Sequence, residues 1–132
     1  MKGLWRGLWT GAGAAGVLLV AGCVGQPTTL SGGFGAPSFA QLQQMCSGPT
    51  PDYGADAQPV YSTLLDAYVA TRHDRLSKDD YCAFQTSIAQ QYSSLGTSSD
   101  LQARSQWASF FIDQRAKALS WRASVDPMLR GG

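Results

Sequence analysis

The sequence predicts an all-α domain, a small up-down-up antiparallel helical bundle with an extra short helix on its N-terminal side. Apolar residues recur at helical spacing through three long segments of the chain. Capping patterns or a first-turn proline stand at the beginning of these segments, and glycine, proline or a polar turn follows them. The connections over residues 73–77 and 96–98 are so short that consecutive helices are expected to be antiparallel neighbours.

The extra short helix is predicted to begin after Ser38. Gln41 follows Ser38 at the spacing of a capping box, in which each residue's side chain accepts a hydrogen bond from the other's backbone. Gly48 and Pro49 then end the helix. Its apolar face contains Phe39, Leu42 and Met45.

The loop that follows contains Asp52, Tyr53 and Asp56, whose oxygen atoms invite comparison with a calcium site. The spacing lacks the alternating ligands of an EF-hand loop, and no glutamate closes it. We therefore expect a solvated loop rather than a metal site.

Two amphipathic helices come next, one from Pro59 to about Asp74 and one from Lys78 to about Leu95. Proline suits the first turn of a helix, and Ser77 is placed to cap the second of these helices. The stripe of the first helix contains Tyr61, Leu64, Leu65, Tyr68 and Arg72, and that of the second contains Tyr81, Phe84, Ile88, Tyr92 and Leu95.

The last helix is predicted to begin in the capping segment 97–100 and to end at Asp126, the residue before Pro127. Apolar positions along it alternate between four- and three-residue spacings, which is typical of a seam that packs on neighbouring helices. The seam contains Trp107, Phe111, Gln114, Ala118, Trp121 and Val125, and we expect Leu101, Phe110 and Leu119 to widen it.

Residues 1–22 have the three parts of a bacterial export signal. Lys2 and Arg6 form the charged region, a short apolar run follows, and Gly22 is the small residue before Cys23. The run is too short to span a bilayer as a mature helix, so we predict cleavage. Residues 23–37 then form a flexible tether rich in glycine, proline and hydroxyl residues, residues 38–126 form the bundle, and residues 127–132 form a C-terminal tail.

The last residues of the signal, Val20, Ala21 and Gly22, together with Cys23, resemble the lipobox of bacterial lipoproteins. The resemblance implies that Cys23 is lipidated and becomes the first residue of the mature chain. It also implies a place in the bacterial cell envelope, lipid-anchored on the periplasmic side of the inner or the outer membrane.

The remaining cysteines and the charge fit an exported domain. Cys46 and Cys82 form the pair that is left once Cys23 is assigned to lipid, and a pair of thiols in an oxidising compartment normally forms a disulfide. Loss of Lys2 and Arg6 with the signal leaves eight of the ten basic residues against nine acidic ones, a formal charge of −1. Such a charge does not favour a nucleic-acid partner.

The sequence offers no set of catalytic or metal-binding residues. His73 is the single histidine, and it lies near a predicted helix C-terminus, where the helix dipole favours an imidazolium that caps the helix. The chain has no Gly-x-Ser-x-Gly motif, no Cys-x-x-Cys-His motif and no glutamate. We expect a protein that is not an enzyme and that needs no cofactor and no metal.

The helices carry more aromatic residues than a bundle of this size needs to bury, so we expect some of them to contact another protein. Trp121 and Arg122 are the candidate docking residues, because protein interfaces are enriched in these two residue types. Arg104, Arg115 and Arg122 share a sector of the last helix. That sector fits either a solvated face or a partner-docking face.

In its layout, a small exported helical chain with two paired cysteines is similar to the third, non-redox subunit of membrane-bound quinoprotein–cytochrome alcohol dehydrogenases. The resemblance implies a clamp that stabilises the large PQQ subunit, while the redox chemistry stays in the partners. We predict a non-catalytic, lipid-anchored accessory or anchoring subunit of a larger periplasmic, membrane-associated complex. The alternative is a free-standing envelope lipoprotein that binds a small ligand or a peptide in its bundle.

Overall fold

The computed structural model describes residues 35–126, and over this range the chain is helical without strands, which confirms the predicted all-α bundle. The export signal, Cys23, most of the tether and the C-terminal tail lie outside the described residues. The helices are α1 (Phe39–Gln44), α2 (Ala57–Arg72), α3 (Lys78–Gln91) and α4 (Leu101–Ala123). A 3₁₀ turn (Gly54–Asp56) leads into α2, and a π-helical turn (Tyr92–Gly96) follows α3.

Helices α1, α3 and α4 begin at side chains that accept hydrogen bonds from their first backbone N–H groups. The Ser38 hydroxyl accepts a hydrogen bond from the Gln41 N–H at 3.2 Å, and the Gln41 side chain accepts one from the Ser38 N–H at 2.7 Å, which confirms the capping box. Ser77 caps α3 by accepting from the Asp80 N–H at 3.0 Å. Asp100 caps α4 by accepting from the Gln102 N–H.

Helix α2 ends in a Schellman motif that contains no glycine. His73 occupies the C-cap position, and Asp74 after it adopts a left-handed conformation with φ of 57°. The Arg75 N–H donates to the Ala70 carbonyl at 3.0 Å and the Asp74 N–H donates to the Thr71 carbonyl at 3.2 Å. Aspartate tolerates this conformation better than most residues, so α2 can turn sharply into α3.

The other two long helices end earlier than the sequence predicts. Regular α3 stops at Gln91, because the backbone widens into the π-helical turn. In this turn the Tyr92 ring covers Gly96 so closely that a side chain at position 96 would overlap the ring. Helix α4 stops at Ala123 instead of Asp126. The Ser124 hydroxyl donates to the Trp121 carbonyl at 2.6 Å, which gives that carbonyl a partner other than the next helical N–H.

Four aromatic rings pack in a row within the core. Tyr53 lies between Phe39 and Tyr92, with ring centroids 5.9 Å and 4.8 Å away, and Tyr92 contacts Trp107 at 5.2 Å. Tyr53 is fully buried, so the prediction of a solvated loop is wrong for this residue. The 3₁₀ turn is fixed as well, because the Asp56 carboxylate accepts a hydrogen bond from the Trp107 indole N–H at 3.3 Å.

A disulfide between Cys46 and Cys82 joins the end of α1 to the first turns of α3, as predicted, with the two Cα atoms 5.4 Å apart. Polar side chains continue this connection into the core. The Gln85 amide donates to the Gln43 carbonyl at 3.4 Å, and the Tyr81 hydroxyl donates to the Gln85 side chain at 2.9 Å. The short α1 is therefore held to α3 by a covalent bond and by a buried hydrogen-bond network.

Helix α4 packs mainly on α2 and on the π-helical turn, and much less on α3. The predicted seam is confirmed, because Trp107, Phe111 and Ala118 are buried and the other seam residues are partly buried. The expectation that Leu101 and Leu119 widen the seam is wrong, since these side chains are 78% and 40% exposed. They lie on a neighbouring face of α4 that α2 does not cover.

Candidate functional site: an open cleft between α3 and α4

Sparse packing between α3 and α4 leaves a cleft of about 490 Å³ that is open to solvent. Its floor is apolar, with Leu76 and Phe84 below and Trp121 along one side. Its rim is polar and carries both signs of charge. The rim residues include Arg75, Asp80, Ser87, Gln114 and Lys117.

Trp121 is the large aromatic residue of this cleft. The position is on the seam of α4, so one edge of the indole packs against the Phe84 ring in an edge-to-face contact, with centroids 5.1 Å apart. The Lys117 ammonium lies 5.2 Å from the centre of the indole ring, within the range of a cation–π contact. Because α3 does not close over it, Trp121 is only half-buried.

Arg122 does not share this surface. One residue step on a helix is a rotation of about 100°, so Arg122 points towards α2 and away from the cleft. Its guanidinium donates to the Asp66 carboxylate at 2.8 Å, and its Nε atom lies 4.0 Å from the Asp126 carboxylate. The structure thus separates the two predicted docking residues and engages Arg122 within the domain.

A second groove, of about 470 Å³, lies where Arg122 emerges between α2 and the end of α4. Residues 35–37 form one wall, and the Tyr61 hydroxyl donates to the Pro37 carbonyl at 2.6 Å. The Tyr68 hydroxyl accepts a hydrogen bond from Arg72 at 3.2 Å, which raises the pKa of that guanidinium. His73 lines the same groove and is exposed. Of the residues on the cleft floor, only Leu76 is close to His73 along the chain.

The aromatic surplus expected from the sequence is mostly inside the protein. The expected aromatics that are buried are Tyr61, Tyr81, Phe84, Tyr92, Trp107 and Phe111, and those that are half-buried are Tyr68, Phe110 and Trp121. The expectation that the helices carry more aromatic residues than the bundle can bury is therefore wrong for most of these side chains. Tyr53, from the loop before α2, packs with these rings in the core.

Three tyrosines of the core have raised pKa values. Burial raises the pKa values of Tyr53 and Tyr81 well above the usual tyrosine range, and nearby tyrosines raise them further. Burial also raises the pKa of Tyr92, with a smaller effect from Asp56 and Asp52. Among residues 35–126, no group of three or more histidine, cysteine or acidic side chains is placed to hold a metal ion.

Sequence reasoning missed one surface. Within the described residues the exposed large apolar side chains are Leu101, Ile112 and Leu119, and all three lie on α4. Their spacings of eleven and seven residues are close to whole numbers of helical turns, so they share one face. That spacing is the available signal, but the predicted seam includes Leu101 and Leu119.

Comparison with known proteins adds no relative from which a function can be transferred: no family model, no curated protein and no solved structure matches the chain. None of the helices within residues 35–126 has the length and apolar character needed to cross a membrane.

Proposed function

We propose that this chain is a non-catalytic, lipid-anchored accessory subunit that docks onto a larger periplasmic protein through the α3–α4 cleft. The observation that carries the proposal is the half-exposed indole of Trp121 above the apolar floor of that cleft. Tryptophan in a partly enclosed apolar site, surrounded by a polar rim, is the residue on which binding energy most often concentrates at protein interfaces.

The shape of the cleft favours an apolar side chain or a helix of the partner as its occupant. A partner group placed against Trp121 and Phe84 would gain apolar burial of about 25 cal/mol per Å² of surface removed from water. The charges of Arg75, Asp80 and Lys117 on the rim would orient that group. Arg122 lies outside the cleft and pairs with Asp66, so of the two predicted docking residues the proposal uses Trp121.

Anchoring rests on the lipobox and on the tether, which lie outside the described residues apart from residues 35–37. A tether of this length and composition has a root-mean-square span of about 20 Å, by a scaling of about 5–6 Å times the square root of the residue number. Pro37 is held by Tyr61, so the tether starts at the α2 side of the bundle. The cleft on the α3–α4 side thus stays accessible to a partner beside the membrane.

The large PQQ subunit of a quinoprotein alcohol dehydrogenase is the partner that the layout of the chain implies. The alternative, a carrier of a small ligand or peptide, is supported by the cleft volume, which falls within the range of about 300–1,000 Å³ typical of ligand sites. A carrier would be expected to work alone and to retain a bound molecule. The two functions differ in what occupies the cleft.

Site-specific photo-crosslinking in the native envelope separates these functions. A photoreactive residue replaces Ala83, which is exposed and lines the cleft, and in a matched variant it replaces Gln106, which is exposed on α4 away from every groove described above. We expect one discrete large adduct from position 83 and none from position 106. Equal labelling from both positions, or a chain that stays monomeric and carries a small molecule, would contradict the docking proposal.

A further inference from the structure

The chain itself leads into the second groove, the one between α2 and the end of α4. Residues 35–37 form one wall of this groove, and the Tyr61 hydroxyl donates to the Pro37 carbonyl at 2.6 Å. The α2 residues that give the groove its apolar surface are Leu65, Tyr68 and Val69, and all three are half-buried. Because Gly35 lines the groove, the residue before it is held at the groove by a covalent bond.

The contact at Pro37 directs the preceding chain along α2. Tyr61, which holds Pro37, lies one helical turn before Leu65, and the groove extends from Leu65 to His73 at the C-terminal end of the helix. These eight steps rise about 12 Å at 1.5 Å per residue. Five extended residues span about 17 Å at 3.3–3.6 Å each, so residues 30–34 are long enough to follow the whole groove.

The composition of residues 30–34, which lie outside the described residues, suits an apolar groove. Leu30 and Phe34 are the two large apolar side chains of the tether, and two glycines between them keep the backbone narrow. Apolar side chains placed over Leu65 and Val69 would remove apolar surface from water, which is the dominant favourable contribution to most protein contacts. Tyr68 beside them is half-buried and offers its ring to an aromatic neighbour.

Charge favours this segment over the C-terminal tail as the occupant. The charged side chains that line the groove are all of basic types: Arg72, His73 and Arg122. Residues 24–34 carry no charged side chain, and their carbonyl oxygens are acceptors for guanidinium N–H groups. Residues 127–132 also contain apolar side chains, but Arg130 among them is repelled by the basic lining.

We propose that residues 30–34 dock into the groove between α2 and the end of α4 as a strap, with Phe34 at the entry and Leu30 towards the end of α2. The short covalent connection gives the strap a high effective concentration at the groove, so even a weak contact is occupied ahead of a free ligand of similar intrinsic affinity. This surface is separate from the α3–α4 cleft, and the docking does not depend on the proposed function.

Docking of the strap shortens the reach of the anchor, a consequence that rests on the proposed lipid attachment at Cys23. The seven residues 23–29 remain between the lipid and the groove. Their root-mean-square span is about 15 Å, compared with about 20 Å for the whole tether, by a scaling of about 5–6 Å times the square root of the residue number. The strap thus holds the α2 side of the domain nearer the bilayer.

Intramolecular photo-crosslinking of the full lipidated chain in detergent micelles tests the proposal. A benzoylphenylalanine replaces Phe34, which keeps an aromatic ring, and in a matched chain it replaces Gln26 outside the strap. We expect position 34 to crosslink to the α2 peptide that contains residues 65–72, with a yield about tenfold or more above that of position 26. Cys23→Ser should keep this crosslink, which separates the docking from the proposed anchoring.

A charge in the groove should release the strap. Val69→Arg places a guanidinium on the apolar surface and should lower the crosslink yield from position 34 by about tenfold or more. The matched control Gln106→Arg adds the same side chain at an exposed position of α4 and should leave the yield unchanged. Equal yields from the two variants would overturn the proposal, as would crosslinks from position 34 to another protein or to a second copy of the chain.

Proteolysis of the unsubstituted chain is a second measurement that needs no change in the groove. Chymotrypsin cleaves after large apolar residues, and Phe34 and Leu129 both lie outside the described helices. We expect cleavage after Phe34 to be about tenfold or more slower than cleavage after Leu129, because the docked strap does not fit the protease. Equal rates would overturn the proposal. Slower cleavage after Leu129 would show that the C-terminal tail occupies the groove and would overturn it as well.

Discussion

At the scale of single residues, Arg122 is predicted to face a partner but forms an ion pair within the domain. Its side chain is 31% exposed and pairs with Asp66, whose side chain is 11% exposed. We expect Arg122→Ala to lower the free energy of unfolding by about 1–3 kcal/mol, because it leaves a nearly buried carboxylate without its partner. Urea denaturation of the purified domain measures this change.

Arg104 provides the control for Arg122. It is an exposed arginine on the same helix, and surface substitutions of this kind usually change stability by no more than about 0.5 kcal/mol. A double-mutant cycle with Asp66→Ala isolates the energy of the pair itself. Equal effects of Arg122→Ala and Arg104→Ala would show that the Arg122–Asp66 contact does not stabilise the fold.

The buried tyrosines predict a loss of stability at alkaline pH. Burial raises the pKa values of Tyr53 and Tyr81 in the folded state, whereas tyrosine in the unfolded chain ionises near pH 10. Above about pH 10 the unfolded state has released protons that the folded state retains, so the free energy of unfolding falls as the pH rises. Below that pH the contribution is fully present.

Denaturation curves from about pH 8 to about pH 11 measure this dependence. Tyr81→Phe removes one titrating group and should make the alkaline decline shallower, although it also removes the hydrogen bond to Gln85 and lowers stability at neutral pH. Tyr68→Phe, at a half-buried site, is the control. An alkaline decline that Tyr81→Phe leaves unchanged would exclude Tyr81 as its source.

At the scale of elements, the six-residue helix α1 depends on what it is attached to. Helices this short are not stable alone, and the Cys46–Cys82 bond closes a loop with a sequence separation of 36 residues. We expect Cys82→Ala to cost about 2–5 kcal/mol of stability, near the roughly 4 kcal/mol expected for a loop of this length. Urea denaturation of the wild type with and without a reductant checks the same quantity.

Non-reducing peptide mapping is the control for the disulfide prediction. The bridged peptide should be present in protein isolated without reductant and absent after reduction. Free thiols at both Cys46 and Cys82 in the isolated protein would contradict the bridge. A stability unchanged by reductant would show that the Gln43–Gln85 hydrogen bond and the packing of Phe39 suffice to hold α1.

Most of the elements could be predicted because their signals are local. Ser38, Ser77 and the seam of α4 set helix starts and buried faces through spacing along the chain alone. The burial of Tyr53 could not be predicted, since it depends on Phe39 and Tyr92 meeting around the loop from distant parts of the chain. The π-helical turn likewise reflects the contact of Tyr92 with Gly96.

At the scale of the whole molecule, the cleft follows from the unequal packing of α4. A spacing pattern places Trp121 and Phe111 on one seam, but it does not say that Phe111 is buried while Trp121 stays half-exposed where α3 and α4 pack sparsely. The pattern also does not say which of two neighbouring faces receives a leucine, so Leu101 and Leu119 were misplaced. Only the relative positions of helices decide these points.

The proposed membrane attachment concerns the whole chain and gives a further prediction. Cys23→Ser should leave uncleaved or soluble protein, because two or three acyl chains anchor a protein at about 0.8 kcal/mol per buried CH₂. Fractionation with mass spectrometry of the N-terminal peptide measures this. Cys82→Ser is the control, which should lose the disulfide and stay in the membrane fraction. An unmodified Cys23 in wild-type protein would contradict anchoring.

The most direct test of the docking proposal is co-purification of a large partner with the full chain in gentle detergent, compared between Ala83→Arg and Gln106→Arg. Ala83→Arg fills the cleft without removing a core contact, and Gln106→Arg adds the same side chain elsewhere on an exposed helix position. We predict that Ala83→Arg lowers the amount of retained partner by about tenfold or more, whereas Gln106→Arg retains it and both variants keep the wild-type melting temperature. Equal retention by the two variants would contradict the proposal that the α3–α4 cleft binds the partner.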